Sequence, residues 1–175
     1  MNRMRYLLVV AIPLIVVGLL CMSLATVRAS GSATALFDVK IPTGYRDWRL
    51  IAVAHEEGNL NDLRAVLGNN IALKAYRENA LPFPDGAIIG ALHYSHVSSE
   101  ENNNVFGRAQ SFVPGPPTNI QFMVKDSKKY ASTGGWGFAH FNKDGTPADE
   151  AMLKTCFPCH QMTKATDLVF THYAP

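Results

Sequence analysis

The sequence predicts an α+β fold, in which a mainly antiparallel sheet packs with a few helices. Short apolar or alternating runs bounded by Gly, Pro or Asn recur along residues 45–175, as is typical of strands. Long amphipathic helical patterns are absent, and the proline-rich segment at 114–117 and the Trp-Gly-Phe run at 136–138 would interrupt them. The sequence therefore argues against a four-helix bundle.

The individual elements follow local signals. The predicted strands cover residues 48–54, 63–67, 87–93, 105–113, 120–125 and 136–141. A helix is predicted at 70–78 because Asn69 offers an N-cap, and 114–117 is predicted to be a turn. Shorter helical segments are predicted at 148–153 and 156–160, and a single turn is predicted at 126–131.

The first 29 residues predict a signal peptide. Arg3 and Arg5 precede an uncharged run, and Val27 and Ala29 place small residues at the two positions that a signal peptidase reads. The run approaches the roughly twenty residues of a membrane-spanning helix, so an uncleaved anchor is the alternative. We expect an exported, periplasmic protein.

Residues 30–42 are predicted to be a tether, and 43–175 a single domain. Loss of the three arginines of the signal would change the formal charge from +2 to about −1, so we expect no nucleic-acid partner. Because Cys21 would leave with the signal, the mature chain would keep only Cys156 and Cys159.

The run Cys-Phe-Pro-Cys-His at 156–160 matches the attachment signature of c-type haem. In this signature two thiols three positions apart reach neighbouring vinyl groups, and the adjoining histidine binds the iron. We therefore predict one covalent haem c on Cys156 and Cys159, with His160 as the iron ligand.

Two other interpretations of the cysteine pair remain. A zinc site normally draws four ligands from Cys and His, and the sequence has no second cysteine pair. A redox disulfide normally follows a strand and opens a helix near the start of a βαβ unit, whereas this pair lies near the C-terminus. The haem interpretation is preferred to both.

Other side chains could supply a sixth iron ligand, although a surface or core role is the preferred interpretation for each. The histidines are His55, His93, His96, His140 and His172. The methionines are Met123, Met152 and Met162. Met162 is too close to His160 in sequence to reach the opposite face of a haem, and Met123 lies in a predicted strand.

The sequence resembles the cytochrome P-460 family and its relatives, the beta-type cytochromes c prime. The similarity covers most of 45–175, and single elements are weaker signals than their order and spacing. Its motifs are YRDW at 45–48, PDG at 84–86, VKDSKKY at 124–130, GWGF at 135–138, the haem motif and TDLVFT at 166–171.

The resemblance implies a sheet-rich α+β fold, a homodimer and a five-coordinate haem that binds nitric oxide or related small nitrogen ligands. Some members oxidise hydroxylamine, and in these a lysine is bonded to the haem ring. Counting along the strand after the Asp-Gly turn places that position at Ala91. Lys74 is the nearest substitute in sequence, but it does not match the motif.

The resemblance also suggests residues for the ligand side of the haem. Arg64 matches a family arginine that stabilises an anion or a propionate, and a surface ion pair is the alternative. Glu150, with Ala151, falls where the family places a residue over the iron, although Glu150 also suits a helix N-terminus. Apart from the resemblance, Phe83 and Tyr94 are candidates for the aromatic walls of a pocket that binds nitric oxide.

Three functions follow as expectations. A nitric-oxide-binding haem protein is favoured because Ala91 replaces the cross-linking lysine. The first alternative is a hydroxylamine-oxidising enzyme that passes electrons to an acceptor cytochrome. The second is a periplasmic electron carrier with six-coordinate iron, for which the sequence offers no well-placed sixth ligand.

Overall fold

A computed structural model describes residues 38–174 and contains a five-stranded antiparallel sheet with strands in sequence order. The strands are β1 (Arg49–Glu56), β2 (Asp62–Gly68), β3 (Ile88–Ser98), β4 (Phe112–Lys125) and β5 (Trp136–Asn142). The α-helices are α1 (Asn70–Glu78), α2 (Glu100–Phe106) and α3 (Glu150–His160). Short 3-10 helices occupy Tyr45–Asp47, Ala131–Thr133 and Gln161–Thr166. The predicted α+β fold class is confirmed.

The predicted signal peptide at 1–29 lies outside the described residues, as does most of the predicted tether at 30–42. Between residues 38 and 174, the longest and most apolar helices still fall short of what is needed to cross a membrane.

The two faces of the sheet bury different apolar clusters. Side chains alternate along each strand, so the first face collects one set of residues and the second face the other. On the first face, α1 and the C-terminal segment pack over Val66, Ile89, Met123 and Phe138. On the second face, the N-terminal segment covers Phe122, Tyr130, Ala139 and Phe141. Of the two cysteines, Cys156 packs against the apolar cluster of the first face.

The prediction of a strand at 105–113 is wrong for most of its length. Val105 and Phe106 end α2, and the strand begins only at Phe112. The helix forms because the Ser99 side chain accepts a hydrogen bond from the backbone of Asn102 at 3.3 Å, with two glutamates in the first turn.

The predicted turn at 114–117 is also wrong, since β4 continues through it. Pro114 pairs with His96 and Pro117 with Tyr94, with register shifts between these pairs. These prolines lie beyond the last pair that β4 makes with β5, at Asn119. Proline lacks a backbone donor and is tolerated where a strand pairs on one side only.

The helices begin where side chains can cap them. Asn69 accepts a hydrogen bond from the backbone of Ala72 at 2.9 Å, and α1 matches its predicted range. Asp149 caps α3 through the backbone of Met152 at 2.8 Å. The two segments predicted at 148–153 and 156–160 form this one helix, and the turn predicted at 126–131 is present as a turn at 127–130, followed by the 3-10 helix that begins at Ala131.

Candidate functional site

Cys156, Cys159 and His160 share one face of α3, because positions three and four apart are neighbours on a helix. Cys156 is half-buried, Cys159 is exposed, and neither forms a disulfide. Burial raises the pKa of the Cys156 thiol, and the nearby Cys159 adds to the shift. In residues 38–174, no three His, Cys, Asp or Glu side chains are grouped so as to hold a bare metal ion.

The His160 imidazole is held in one orientation. Its Nδ1 lies 2.7 Å from the backbone carbonyl oxygen of Leu168, and its ring packs against Phe138 and Phe170 with centroids 5.0 Å and 5.1 Å away. Burial lowers the pKa of His160, although the hydrogen bond to Leu168 opposes this shift. A neutral imidazole whose Nδ1–H donates to a carbonyl presents Nε2 as a lone pair, which is the form that binds a metal.

The carbonyl of Leu168 is oriented by Asp167. Both residues adopt left-handed backbone conformations, with φ of 53° and 67°, which are unfavourable for residues other than glycine. Lys125 Nζ donates to both carboxylate oxygens of Asp167 at 2.8 Å, and the backbone N–H of Phe83 donates at 2.8 Å. Trp136 Nε1 donates to the Asp167 carbonyl at 2.8 Å. The core of the sheet therefore fixes the partner of His160.

His160 lines a cavity of about 540 Å³, measured with its open mouth. The apolar wall comes from Val66, Ile89, Met123, Val169 and Phe170, and polar groups come from Arg64, His93 and Gln121. A haem requires apolar contacts for its macrocycle and a nitrogen ligand for its iron. The apolar wall, the free Nε2 and the two cysteines on the same helix face fit that group.

Two further predicted residues lie in this cavity. Ala91 lines it from β3, where it pairs with Val66 of β2. Arg64 lines it from β2, and its guanidinium binds Glu56 at 3.1 Å and Asp62 at 3.3 Å. Arg64 therefore lies in the cavity wall and makes ion pairs there, and its role toward an anion or a propionate stays a prediction.

Other predicted residues are not brought to this cavity. The Glu150 side chain is 66% exposed and binds Lys154 at 2.8 Å, next to Ala151 on the first turn of α3. The Lys74 side chain is 71% exposed and binds Glu78 at 2.6 Å. Lys154 and Glu150 thus form one surface ion pair, and Lys74 and Glu78 form another. A ligand-side role for Glu150 stays a prediction.

The candidate aromatic walls are also placed elsewhere. Phe83 is buried against Trp136, with ring centroids 5.6 Å apart, and lines a second cavity together with Tyr76, His172 and Tyr173. Tyr94 follows His93 on β3 and so faces the other side of the sheet. There, a hydrogen bond from Arg46 to Tyr94 raises the pKa of the guanidinium.

The remaining candidates for a sixth ligand separate clearly. His55 stacks on His96 with ring centroids 4.1 Å apart, whereas His140 is half-buried on β5. Met152 and Met162 are 47% and 75% exposed, and Met123 belongs to the apolar core. Among these histidines and methionines, His93 alone is a polar side chain that lines the same cavity as His160 and is almost fully buried, with 3% exposure.

Sequence reasoning did not separate His93 and Asp62 from the other polar residues. His93 Nδ1 lies 2.5 Å from a carboxylate oxygen of Asp62, which is also buried. His93 Nε2 is buried and has no hydrogen-bond partner within residues 38–174. His93 follows Ala91 by two residues, so both lie on one face of β3. This spacing is the signal in the sequence that could have placed His93 in the cavity.

The sheet, the cavity and the histidine with two cysteines on one helix face define a haem-binding cytochrome. The sequence model of the family described as cytochrome P460 matches residues 42–171, well over half of the chain. The chain therefore belongs to the cytochrome P460 family. No curated protein sequence matches it.

Proposed function

We propose that the protein is an exported, periplasmic cytochrome with one haem c, which binds nitric oxide or a similar small nitrogen ligand at five-coordinate iron. The observation that carries this proposal is His160, which lines the cavity and whose ring is fixed by Leu168 and two phenylalanines, with Nδ1 bound to Leu168 so that Nε2 is left for an iron. The predicted signal peptide supports export.

The residues of α3 would hold the cofactor. Cys156 and Cys159 would form the two thioethers, and His160 Nε2 would be the axial ligand. The haem would supply an iron with one open coordination position. The hydrogen bond from Nδ1 to Leu168 keeps the ring orientation and increases the basicity of Nε2.

Ala91 favours ligand binding over turnover. Its methyl group lines the cavity where the resemblance places a cross-linking lysine, and it offers no nucleophile for bonding to a haem ring. Lys74 is an unsuitable replacement because it is exposed and paired with Glu78. The proposal therefore includes an ordinary haem c chromophore without a third covalent bond.

Hydroxylamine oxidation, with electrons passed to an acceptor cytochrome, is the second candidate. The buried pair of Asp62 and His93 favours it, because such a pair can accept protons from a ligand held in the cavity. The same His93 Nε2 would serve an electron carrier as a sixth ligand. The resemblance to homodimeric relatives makes a second copy of the chain the proposed partner.

Absorption spectra of the purified protein test the proposal. We expect a haem c ferrous Soret band, a high-spin unliganded form and a shifted spectrum after addition of nitric oxide. A red-shifted chromophore would instead indicate a cross-linked haem, and a low-spin resting spectrum would favour the electron carrier. Rapid oxidation of hydroxylamine with an acceptor dye would favour the enzyme.

A further inference from the structure

We propose that His93, oriented by Asp62, is a hydrogen-bond acceptor that makes the cavity select protic nitrogen ligands over nitric oxide. This inference rests on the proposed function, since it names a group that would touch the ligand. Its basis is a buried imidazole in the same cavity wall as His160, with one nitrogen bound to a carboxylate and the other unpartnered within residues 38–174.

The partners of Asp62 determine which nitrogen of His93 carries the hydrogen. One carboxylate oxygen of Asp62 accepts from Arg64 Nη2 at 3.3 Å, and the other is 2.5 Å from His93 Nδ1. A carboxylate paired with a guanidinium can only accept hydrogen bonds, so Nδ1 must donate. In a neutral ring, Nε2 is then a lone pair on the side away from Asp62.

The surroundings of His93 favour the neutral ring. Burial lowers its pKa, and Arg64 acts in the same direction, whereas the hydrogen bond to Asp62 and the charges of Asp62 and Glu56 oppose the shift. His140 on β5 is a further titratable neighbour, and its pKa is lowered by burial and by His93. His160 lines the same cavity.

Arg64 supplies a complementary donor. It pairs directly with His93 across β2 and β3, and its Nε is buried with no hydrogen-bond partner in the part of the chain that the structure describes. Within the described residues, the cavity wall therefore contains the N–H of Arg64 Nε and the lone pair of His93 Nε2, both without a hydrogen-bond partner. A ligand such as hydroxylamine can satisfy both, because it carries hydrogen-bond donors and acceptors.

Nitric oxide has no hydrogen to donate and would leave His93 Nε2 unsatisfied. Leaving a buried acceptor without a partner costs free energy, whereas a ligand with an N–H or O–H removes that cost. A cavity with such a group therefore binds a ligand that carries the matching hydrogen more tightly than a ligand that lacks it. The chemical class favoured by this wall is therefore a small amine or hydroxylamine.

Equilibrium binding to the ferric holoprotein, followed by absorption, tests this inference with hydroxylamine and nitric oxide as probes. His93→Phe keeps a ring but removes the acceptor, and His55→Gln is the control because His55 is exposed and pairs with Leu63 rather than lining the cavity. We expect His93→Phe to raise the Kd for hydroxylamine roughly tenfold. The Kd for nitric oxide should stay within about twofold, and the control should match the wild type.

Asp62→Asn provides a second variant in case His93→Phe fails to fold or to retain haem. It removes the charge that fixes the tautomer, so we expect a roughly threefold rise in the Kd for hydroxylamine. Unchanged hydroxylamine binding in these variants, or equal losses for both probes, would overturn the inference while leaving the proposed function intact.

Two other results would also overturn it. A resting spectrum that changes from low-spin in the wild type to high-spin in His93→Phe would show that His93 binds the iron instead. Failure of the wild-type holoprotein to bind either probe would refute the proposed function, and the role of His93 with it.

Discussion

Lys125 and Asp167 form a buried ion pair in which the ammonium group lies 2.8 Å from both carboxylate oxygens. Lys125 also donates to the carbonyl of Gly134 at 3.1 Å and lies 5.0 Å from the centroid of the Trp136 ring. The pair connects the end of β4 to the residue that precedes Leu168. It thereby links the packing of the sheet to the orientation of His160.

Asp167→Asn should weaken both the fold and the proximal site. Removing one charge of a buried pair leaves the other uncompensated, so we expect a loss of about 3 kcal/mol in the free energy of unfolding. Denaturant unfolding measures this loss, and resonance Raman measures the expected change in the iron–histidine stretching band. Lys74→Met is the control, because its pair with Glu78 is exposed and should contribute under about 1 kcal/mol. Equal losses in the two variants would contradict the structural role of Asp167.

His160→Ala should keep haem covalently attached but lose the axial ligand, since the cysteines make the attachment and the imidazole makes the coordination bond. Intact mass spectrometry should show the haem on the chain, while the ferric and ferrous spectra change. Addition of imidazole should restore much of the wild-type spectrum. Unchanged spectra in the variant would show that another residue binds the iron.

Replacing both Cys156 and Cys159 with serine should release the haem. Acid–acetone extraction should remove the pigment from this double variant but not from the wild type. We also expect a lower melting temperature, because Cys156 contacts the apolar cluster and the apolar cavity wall would lose its haem contacts. Pigment that stays with the protein after extraction would contradict thioether attachment.

Ala91→Lys tests the assignment of the cross-linking position. Since Ala91 lines the cavity with His160, a lysine there should reach a bound haem, and peroxide treatment should produce a new covalent bond and a shifted absorption spectrum. Mass spectrometry tests for the bond in two ways: the intact mass of the denatured protein is measured, and the peptides that carry haem are mapped after digestion. An unaltered spectrum after peroxide, with the introduced side chain recovered unmodified, would place the equivalent position elsewhere.

Stability should fall as the pH decreases below about 6.5, the ordinary pKa of histidine. Burial lowers the pKa of His93, so between its folded value and about 6.5 the unfolded chain binds more protons. The stabilisation is complete above that window and is lost as the pH falls through it. Denaturant unfolding between roughly pH 8 and pH 5 should give a shallower pH dependence for His93→Gln. An identical slope in the variant would contradict a depressed pKa.

The sequence predicted the parts of the fold that depend on local signals. Asn69 marks the start of α1, and alternation gives β2 and β5 nearly their observed ranges. The error at β4 arose because Pro114 and Pro117 normally break a strand, and their tolerance depends on where β5 ends. That end is a tertiary feature, which local patterns do not contain.

The site was predictable where its chemistry lies in consecutive residues. Cys156, Cys159 and His160 form a compact motif, and the structure adds only the contacts that orient His160. The pair of Asp62 and His93 joins two strands across 31 positions of sequence, so its existence depends on the register of β2 against β3. Burial then made His93 distinct from the other histidines.

The prolines of β4 also affect how copies of the protein can meet. Pro114, Pro116 and Pro117 fall on the stretch of β4 beyond its last pair with β5, and prolines there leave an incoming strand fewer donors to pair with. Such an edge resists strand addition and the aggregation that follows from it. Edge-to-edge association of two sheets would therefore use β1 or β5, the two outer strands of the sheet.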